Sequence, residues 1–388
     1  MNKVFHFFKV LLLFPFTLLY GAIIGIRNYA YSRGFFPVFV IDEVFVISVG
    51  NIEVGGTGKT PFAAFLIEYF TGLGFRCAYL SRGYGRKTKG FRLINPDRDN
   101  GKEVGDEALM IARRYPHVPV AVCENRVLGA KELLKRASFQ VLILDDAFQH
   151  RRIHRDLDIL VVNGSRTFFK EKLFPLGRLR EPRSQYKRAD LIVVNKVASE
   201  SQMKRFERRI SKPLLFAQYV PHQCVRGETK ASFPLSFLQH RPIILLSAIA
   251  WNQHFYETVQ QLQAYILRHY ALPDHFPISK NLLLRISKKL DRAQKSSYYR
   301  HEPILLVTEK DYARMVNDEE LEPLLHQMPV YYLEMKLKFI KGYQVCESVI
   351  EEKLKKHKLW SQKSQKNLER PLITSDGTIR GHPKLGLC

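Results

Sequence analysis

Short apolar runs alternate along this chain with longer segments whose apolar residues recur at helical spacing. The runs at 44–49, 76–80, 118–122, 141–144, 158–162 and 191–194 have the length and β-branched content of buried strands. Between them, 59–73, 106–115 and 126–136 carry a helical period. Such alternation is the signature of βαβ units, so the predicted class is α/β, a mostly parallel sheet flanked by helices. A second series follows, with strands at 214–219, 242–246 and 304–307 and helices at 254–269 and 282–294, which predicts a second, smaller α/β lobe. Pro221, Gly227 and Pro234 interrupt regular structure between the two series and set a boundary near residue 220.

The ends of the chain break this pattern. Residues 10–26 contain no Asp, Glu, Lys, Arg or His, with Lys3 and Lys9 before them and Arg27 and Arg33 after. As a helix this stretch reaches about 25 Å, short for a bilayer span but compatible with one. Pro15, Gly21 and Gly25 suit a helix in lipid better than a soluble one. The expectation is an N-terminal anchoring helix over 1–30, a phosphate-binding core domain over 31–220 and a second lobe over 221–360. A mobile tail over 361–388, rich in Lys, Ser, Gln, Gly and Pro, completes the chain.

Charge narrows the partners. Lys and Arg number 61 against 37 Asp and Glu, a formal charge of +24. That excess favours nucleic acid, an acidic membrane or a phosphorylated substrate. The five cysteines are odd in number and lack any C-x-x-C spacing, which points to a reducing compartment without structural zinc.

The strand at 44–49 runs into GNIEVGGTGKTP (50–61), and a helical pattern follows at once. Strand, glycine loop and helix together make a phosphate cradle of inward backbone N–H groups at a positive helix end. The predicted nucleotide loop is Glu53, Val54, Gly55, Gly56, Thr57, Gly58, Lys59 and Thr60. Lys59 is placed to reach the β and γ phosphates and Thr60 to hold Mg²⁺. Glu53 stands where the consensus has its first glycine. The run 141–144 ends in Asp145 and Asp146, either of which supplies the strand-end carboxylate that such a site needs for its metal. Four places later, His150 is in reach of a phosphate, a metal-bound water or a carboxylate. In SRGYGR (81–86), Arg82 and Tyr84 occupy a loop after a strand, where Arg can fork onto phosphate and Tyr can hydrogen-bond or stack.

Seven motifs, in order, resemble those of the tetraacyldisaccharide 4'-kinase family up to about residue 315: VGNIEVGGTGKTP (49–61), SRGYGR (81–86), VGDEALM (104–110), ENR (124–126), LDDAFQHRR (144–152), FPLGRLREP (174–182) and VTEKD (307–311). Ala147 and Arg86 depart from it, each standing where glycine is usual. The resemblance implies two α/β/α lobes with a cleft, an N-terminal hydrophobic anchor, and Mg²⁺-dependent transfer of the γ-phosphoryl group of ATP to the 4' hydroxyl of a tetraacyldisaccharide 1-phosphate, giving lipid IVA and ADP. It also implies functional roles for Arg126, Arg180 and Glu181, and a place at the cytoplasmic face of a Gram-negative inner membrane, among its lipids.

An alcohol needs a base to accept its proton, and Asp106, after Gly105 at the start of a helical segment, is the candidate, with a helix cap as the alternative. His275, in LPDHFPIS (272–279), is its expected partner through the family's DH motif, brought to Asp106 by closure of the lobes. The VTEKD segment follows a strand of the second lobe, where either an approach to the nucleotide base or a brace between the lobes is open to it. Two other functions compete. A membrane ATPase switch would also use GGTGKT, but has Val54 where such proteins often carry lysine. A nucleic-acid or nucleotide kinase suits the charge but not the apolar N-terminus, and the aromatic and basic signatures of RNA modules are missing, so no nucleic-acid partner is expected. Asn195-Lys196 lacks the aspartate two residues on that guanine recognition requires.

Overall fold

The computed structural model describes residues 2–166, 168–357, 372–373 and 379–380. The tail expected over 361–388 therefore lies outside the described residues, apart from two short paired strands noted below. The chain divides into two compact units, one of Met1–Arg82, Asn125–Tyr219 and Leu337–Cys388, the other of Gly83–Glu124 and Val220–Lys336. One passage between them falls beside the expected boundary near 220. Residues 83–124, however, lie with the second series of elements, and 337–356 with the first, so a single cut does not describe the chain.

The first unit opens with α1 (Asn2–Ser32), which carries Pro15 within it. It continues through β1 (Phe45–Gly50), α2 (Lys59–Gly72) and β2 (Cys77–Ser81). The chain then enters the second unit as β3 (Arg92–Leu93), α3 (Gly101–Val104), α4 (Asp106–Arg114) and β4 (Val120–Val122). It returns as α5 (Arg126–Leu134), β5 (Val141–Asp145), β6 (Leu157–Asn163), β7 (Leu191–Asn195) and α6 (Glu200–Glu207). The unit boundary crosses β8 (Leu214–Arg226), after which come β9 (Ser232–Phe233), β10 (Pro242–Ser247), α7 (Asn252–Gln261), β11 (Tyr265–Ala271), α8 (Lys280–Gln294), β12 (Ile304–Thr308), α9 (Glu309–Met315) and α10 (Glu322–Leu325). β13 (Val330–Lys341) crosses back and α11 (Tyr343–Lys356) follows, with β14 (Leu372–Ile373) and β15 (Ile379–Arg380) pairing antiparallel.

In the first unit the strands lie in the order β8-β7-β6-β1-β5-β2, every pair parallel. All residues of β1, β5, β6 and β7 are buried. That burial on both faces is why these strands read as continuous apolar runs rather than as alternation. Parallel β1 and β5 align Val49 with Asp145, so the loop after β1 and the Asp pair after β5 emerge side by side at the carboxyl ends of the strands. Open α/β sheets bind their ligands at that end.

In the second unit β11, β10, β12 and β13 run parallel in that order. Helix α8 shows why it forms: Ser279 accepts from Leu282 N at its start, and Leu283, Ile286 and Leu290 share one buried face. The helix expected over 254–269 is two elements. Helix α7 stops at Gln261, Gln263 takes a left-handed φ of 59°, and 265–271 pairs with β10 as the strand β11. Apolar and polar residues mix across both pieces, so periodicity alone ran them together. Helix α4 packs on α9, which brings the start of α4 to the VTEKD segment.

Candidate active site

The loop between β1 and α2 is held by polar contacts from its own unit. Gly58 caps α2 in the left-handed region at φ 93° and Gly55 lies at φ 116°, both open to glycine and strained for other residues. A Cβ on Gly58 would collide with the Asn195 side chain, whose Nδ2 donates to Thr57 O at 3.2 Å. Asn51 Nδ2 donates to Thr57 Oγ1 at 3.2 Å, and Lys196 Nζ to Gly56 O at 3.2 Å. From the other side Val54 N donates to Arg178 O at 2.8 Å, and Arg178 Nη2 returns to Val54 O at 2.7 Å. Asn195 and Lys196 thus brace the loop, a role that their comparison with guanine recognition did not suggest.

Lys59 and Thr60 face different members of the Asp pair. Thr60 Oγ1 donates to Asp145 Oδ2 at 3.1 Å, and Tyr79 Oη donates to the same oxygen at 2.6 Å. Lys59 Nζ lies 3.4 Å from Asp146, which Arg180 Nη1 also holds, at 2.9 and 3.0 Å to its two oxygens. Asp146 takes a left-handed φ of 48°, an unusual backbone for a residue with a side chain and one found at functional sites. Burial pushes its pKa up, but Lys59 and Arg180 prevail and hold it below the ordinary carboxylate value. The donor set, a threonine hydroxyl with carboxylates beside a phosphate loop, fits Mg²⁺, which takes one or two carboxylates and completes its shell with phosphate oxygens and water.

Arg126, at the start of α5, is fully buried and donates to Asp145 O at 3.0 Å. Burial lowers its pKa to about 10 despite Asp146 and Asp145 nearby. His150 is pushed down to about 4 by burial first and then by Arg126 and Arg82, so at neutral pH its imidazole is uncharged. Glu53 is buried, and burial raises its carboxyl to about 7 against the opposing charge of Arg178. Glu181 is fully buried 2.9 Å from Arg188, and burial raises its pKa as well. The structure therefore gathers Glu53, Val54, Gly55, Gly56, Thr57, Gly58, Lys59, Thr60, Arg126, Asp145, Asp146, His150 and Arg180 around one loop. Glu181 instead sits among Arg188, Arg27 and Arg151, close to α1.

Tyr84 belongs to the second unit, its ring edge-on to His275 at 5.5 Å. There the candidate base is complete. Asp106 is the first residue of α4, but the N-cap is Gly105 and no side chain caps the helix. Its Oδ2 instead accepts from Arg314 Nε at 2.5 Å and lies 3.3 Å from His275 Nδ1. Burial raises Asp106, yet the His275 hydrogen bond and the charge of Arg314 outweigh it and keep the pKa low. His275 and Asp106 already touch within one unit, so the expected closure of lobes is not what joins them: residues 83–124 fold with the second lobe. Arg314 was missed. Its signal was available, since it stands three residues after Asp311 in a helix that starts at Glu309, on the same face.

Comparison with known proteins puts these residues in context. Residues 9–355 match the family model described as tetraacyldisaccharide-1-P 4'-kinase (LpxK). A tetraacyldisaccharide 4'-kinase of Chlorobium limicola is 33% identical over 87% of this chain and 96% of its own length. One from Cytophaga hutchinsonii is 34% identical over 90% of this chain and 96% of its own. Among solved structures, LpxK from Aquifex aeolicus in complex with ATP superposes with a TM-score of 0.70 at 30% identity, covering 88% of this chain and 98% of that one.

Proposed function

The chain belongs to the tetraacyldisaccharide-1-P 4'-kinase family and is a lipid A 4'-kinase; from that premise we propose how its residues divide the work. The loop Glu53 to Thr60 holds the phosphates of ATP, with Lys59 on the β and γ groups. Thr60 and Asp145, with Asp146 beside them, would hold Mg²⁺, which would supply positive charge to offset that of the phosphates. Arg180 and Arg126 add positive charge around the same carboxylates, and neutral His150 offers a hydrogen bond without a further cation. Glu181, within its arginine cluster, supports the loop that carries Arg180.

Asp106 is the base for the 4' hydroxyl and His275 its partner. One observation carries this reading: the Asp106 carboxylate is turned away from capping α4 and toward His275 and Arg314. As the acceptor oxygen forms its bond to the γ-phosphorus, its proton passes to Asp106. The bond from that phosphorus to the bridging oxygen breaks, and its electron pair leaves with ADP. Asp106→Asn keeps the shape but loses the basicity, so kcat should fall at least about 100-fold. His275→Ala should cost a similar factor, and the double variant little more than the worse single, as for residues acting as a unit. Near-normal kcat in Asp106→Asn removes the base assignment. The exposed apolar stripe of α1 docks the enzyme on the membrane that carries its glycolipid.

A further inference from the structure

The turn Phe174-Pro175-Leu176-Gly177 opens the motif whose Arg180 faces Asp146, and it carries no polar side chain. Phe174 is 52% exposed, and Lys170 and Lys172 just before it are exposed as well. The N–H groups of the turn all have partners within the protein. Phe174 N donates to Leu179 O at 2.9 Å, Gly177 N to Leu173 O at 2.8 Å and Leu176 N to Thr17 Oγ1 at 3.3 Å, while Pro175 has none to place. A Cβ on Gly177 would stand 2.2 Å from Lys172 O, so only glycine closes the turn this tightly. Unsatisfied donors are what bar irregular backbone from lipid. This turn has none, and it needs only to reach the boundary between headgroups and acyl chains.

The turn is fastened to α1. Residues 10–26 contain two polar side chains, Thr17 and Tyr20, and both are engaged here. Thr17 Oγ1 donates to Leu13 O at 3.0 Å while it accepts from Leu176 N. Tyr20 Oη donates to Arg180 O at 2.7 Å, and its ring meets that of Phe174 edge-on at 5.9 Å. Leu173 Cδ1 lies 3.1 Å from where a Cβ on Gly21 would be. Around this contact Leu11, Leu12, Phe14, Phe16, Leu18 and Leu19 are exposed, and at about 100° per residue they cover about 200° of the helix. A helix lying flat on a bilayer keeps a charged or polar face; residues 10–26 have no charge on any side. The N-terminal half of α1 is therefore immersed rather than laid on the surface, and the turn bound to Thr17 and Tyr20 sits where the helix enters the lipid. Resting on the docking of α1 proposed above, we propose that Phe174 and Leu176 form a second membrane contact. They insert at the boundary of headgroups and acyl chains, with Lys170 and Lys172 on the phosphates of anionic phospholipid. Two apolar side chains are too few to hold the chain on a bilayer alone, so the turn follows α1 rather than replacing it.

A single tryptophan can report on the turn. In the full-length chain the two natural tryptophans are replaced, Trp251→Phe and Trp360→Phe, and Phe174→Trp supplies the probe. The vesicles are phosphatidylcholine and phosphatidylglycerol, free of glycolipid, with bromine near the top of their acyl chains. Insertion at the boundary reaches roughly 5–10 Å into the acyl region, so the probe should lose about half of its emission relative to unbrominated vesicles. Protein that sediments with the vesicles but is not quenched overturns the proposal. Quenching that appears only when a brominated glycolipid substrate is added overturns it too, since that assigns the turn to the substrate's own chains. Phe174→Ser gives an independent reading: its partition onto the same vesicles should fall about tenfold, and an unchanged partition contradicts the second contact. A full-length chain that fails to sediment at all would instead sink the docking of α1, a failure distinct from a bound chain with an unquenched probe.

Discussion

Glu53 puts a carboxyl into the phosphate loop where the consensus has glycine, and its burial makes it a group whose charge the fold resists. The unfolded chain releases this proton near the ordinary carboxylate value, the folded one only at about 7. Because the folded value is raised, the native state binds the proton more tightly, and the carboxyl favours folding below the unfolded value. That contribution is lost as pH rises through about 7. Glu53→Gln keeps the shape without the titration. The variant should therefore gain stability relative to wild type between pH 5 and pH 8, seen as a growing difference in urea midpoint, and a constant difference would show that Glu53 is not held neutral. At this scale the sequence was most informative where chemistry and context coincide. Lys59, Thr60, Asp145 and Asp146 each combine a reactive side chain with a strand end or a helix start. Arg178 carries no such mark, because in a chain with 61 basic residues a useful arginine looks like a solvated one until its partners are seen.

Among the elements, the junction of β1 and α2 shows how tightly the loop is specified. Gly58 is fixed twice, by its left-handed φ and by the Asn195 side chain lying where a Cβ would go. Gly58→Ala should cost about 1–3 kcal/mol for the backbone alone, with a further loss from the collision. Adding Asn195→Ala should recover the collision part and leave the backbone part, a non-additivity that denaturant titration of the two singles and the double can read. Strict additivity would mean that the two residues do not meet. Strands buried on both faces, such as β1 and β5, were legible as apolar runs because nothing polar interrupts them. The strands β11 and β13 were not: Tyr265–Ala271 mixes exposed and half-buried residues, and Val330–Lys341 interleaves Glu334, Lys336 and Lys338 with its apolar positions. Their order in the sheet is a matter of pairing between distant segments, which no local pattern contains.

For the whole molecule, the N-terminal helix is the feature that length and composition announced, and its contacts are what they could not. One side of α1 packs within the first unit: Tyr20 Oη donates to Arg180 O at 2.7 Å, Arg27 to Gln149 O, and Arg151 to Asn28 O at 2.8 Å. The helix thus touches both loops that carry the Asp146–Arg180 contact. Its other side exposes Leu11, Leu12, Phe16, Leu19, Ile23 and Ile26. Burying six such side chains at roughly 1.5–3 kcal/mol each outweighs what a few basic residues gain at an anionic surface, roughly 1 kcal/mol apiece. A chain beginning at Tyr31 should therefore leave vesicles of anionic lipid for the supernatant, whereas high salt should not strip the full chain; equal sedimentation of both would contradict docking through α1. The way segments 83–124 and 337–356 change units was beyond the sequence, since it depends on which apolar faces meet. The central claim, that the glycine loop delivers the γ-phosphoryl group to a lipid sugar, is tested most directly by incubating the purified protein with γ-labelled ATP, Mg²⁺ and tetraacyldisaccharide 1-phosphate, beside its Lys59→Ala variant. The label should appear on the lipid, and the variant should lose more than about tenfold of the rate, over ~1.4 kcal/mol of transition-state stabilisation. Free phosphate with an unlabelled lipid, or a Lys59→Ala variant that keeps its rate, would contradict it.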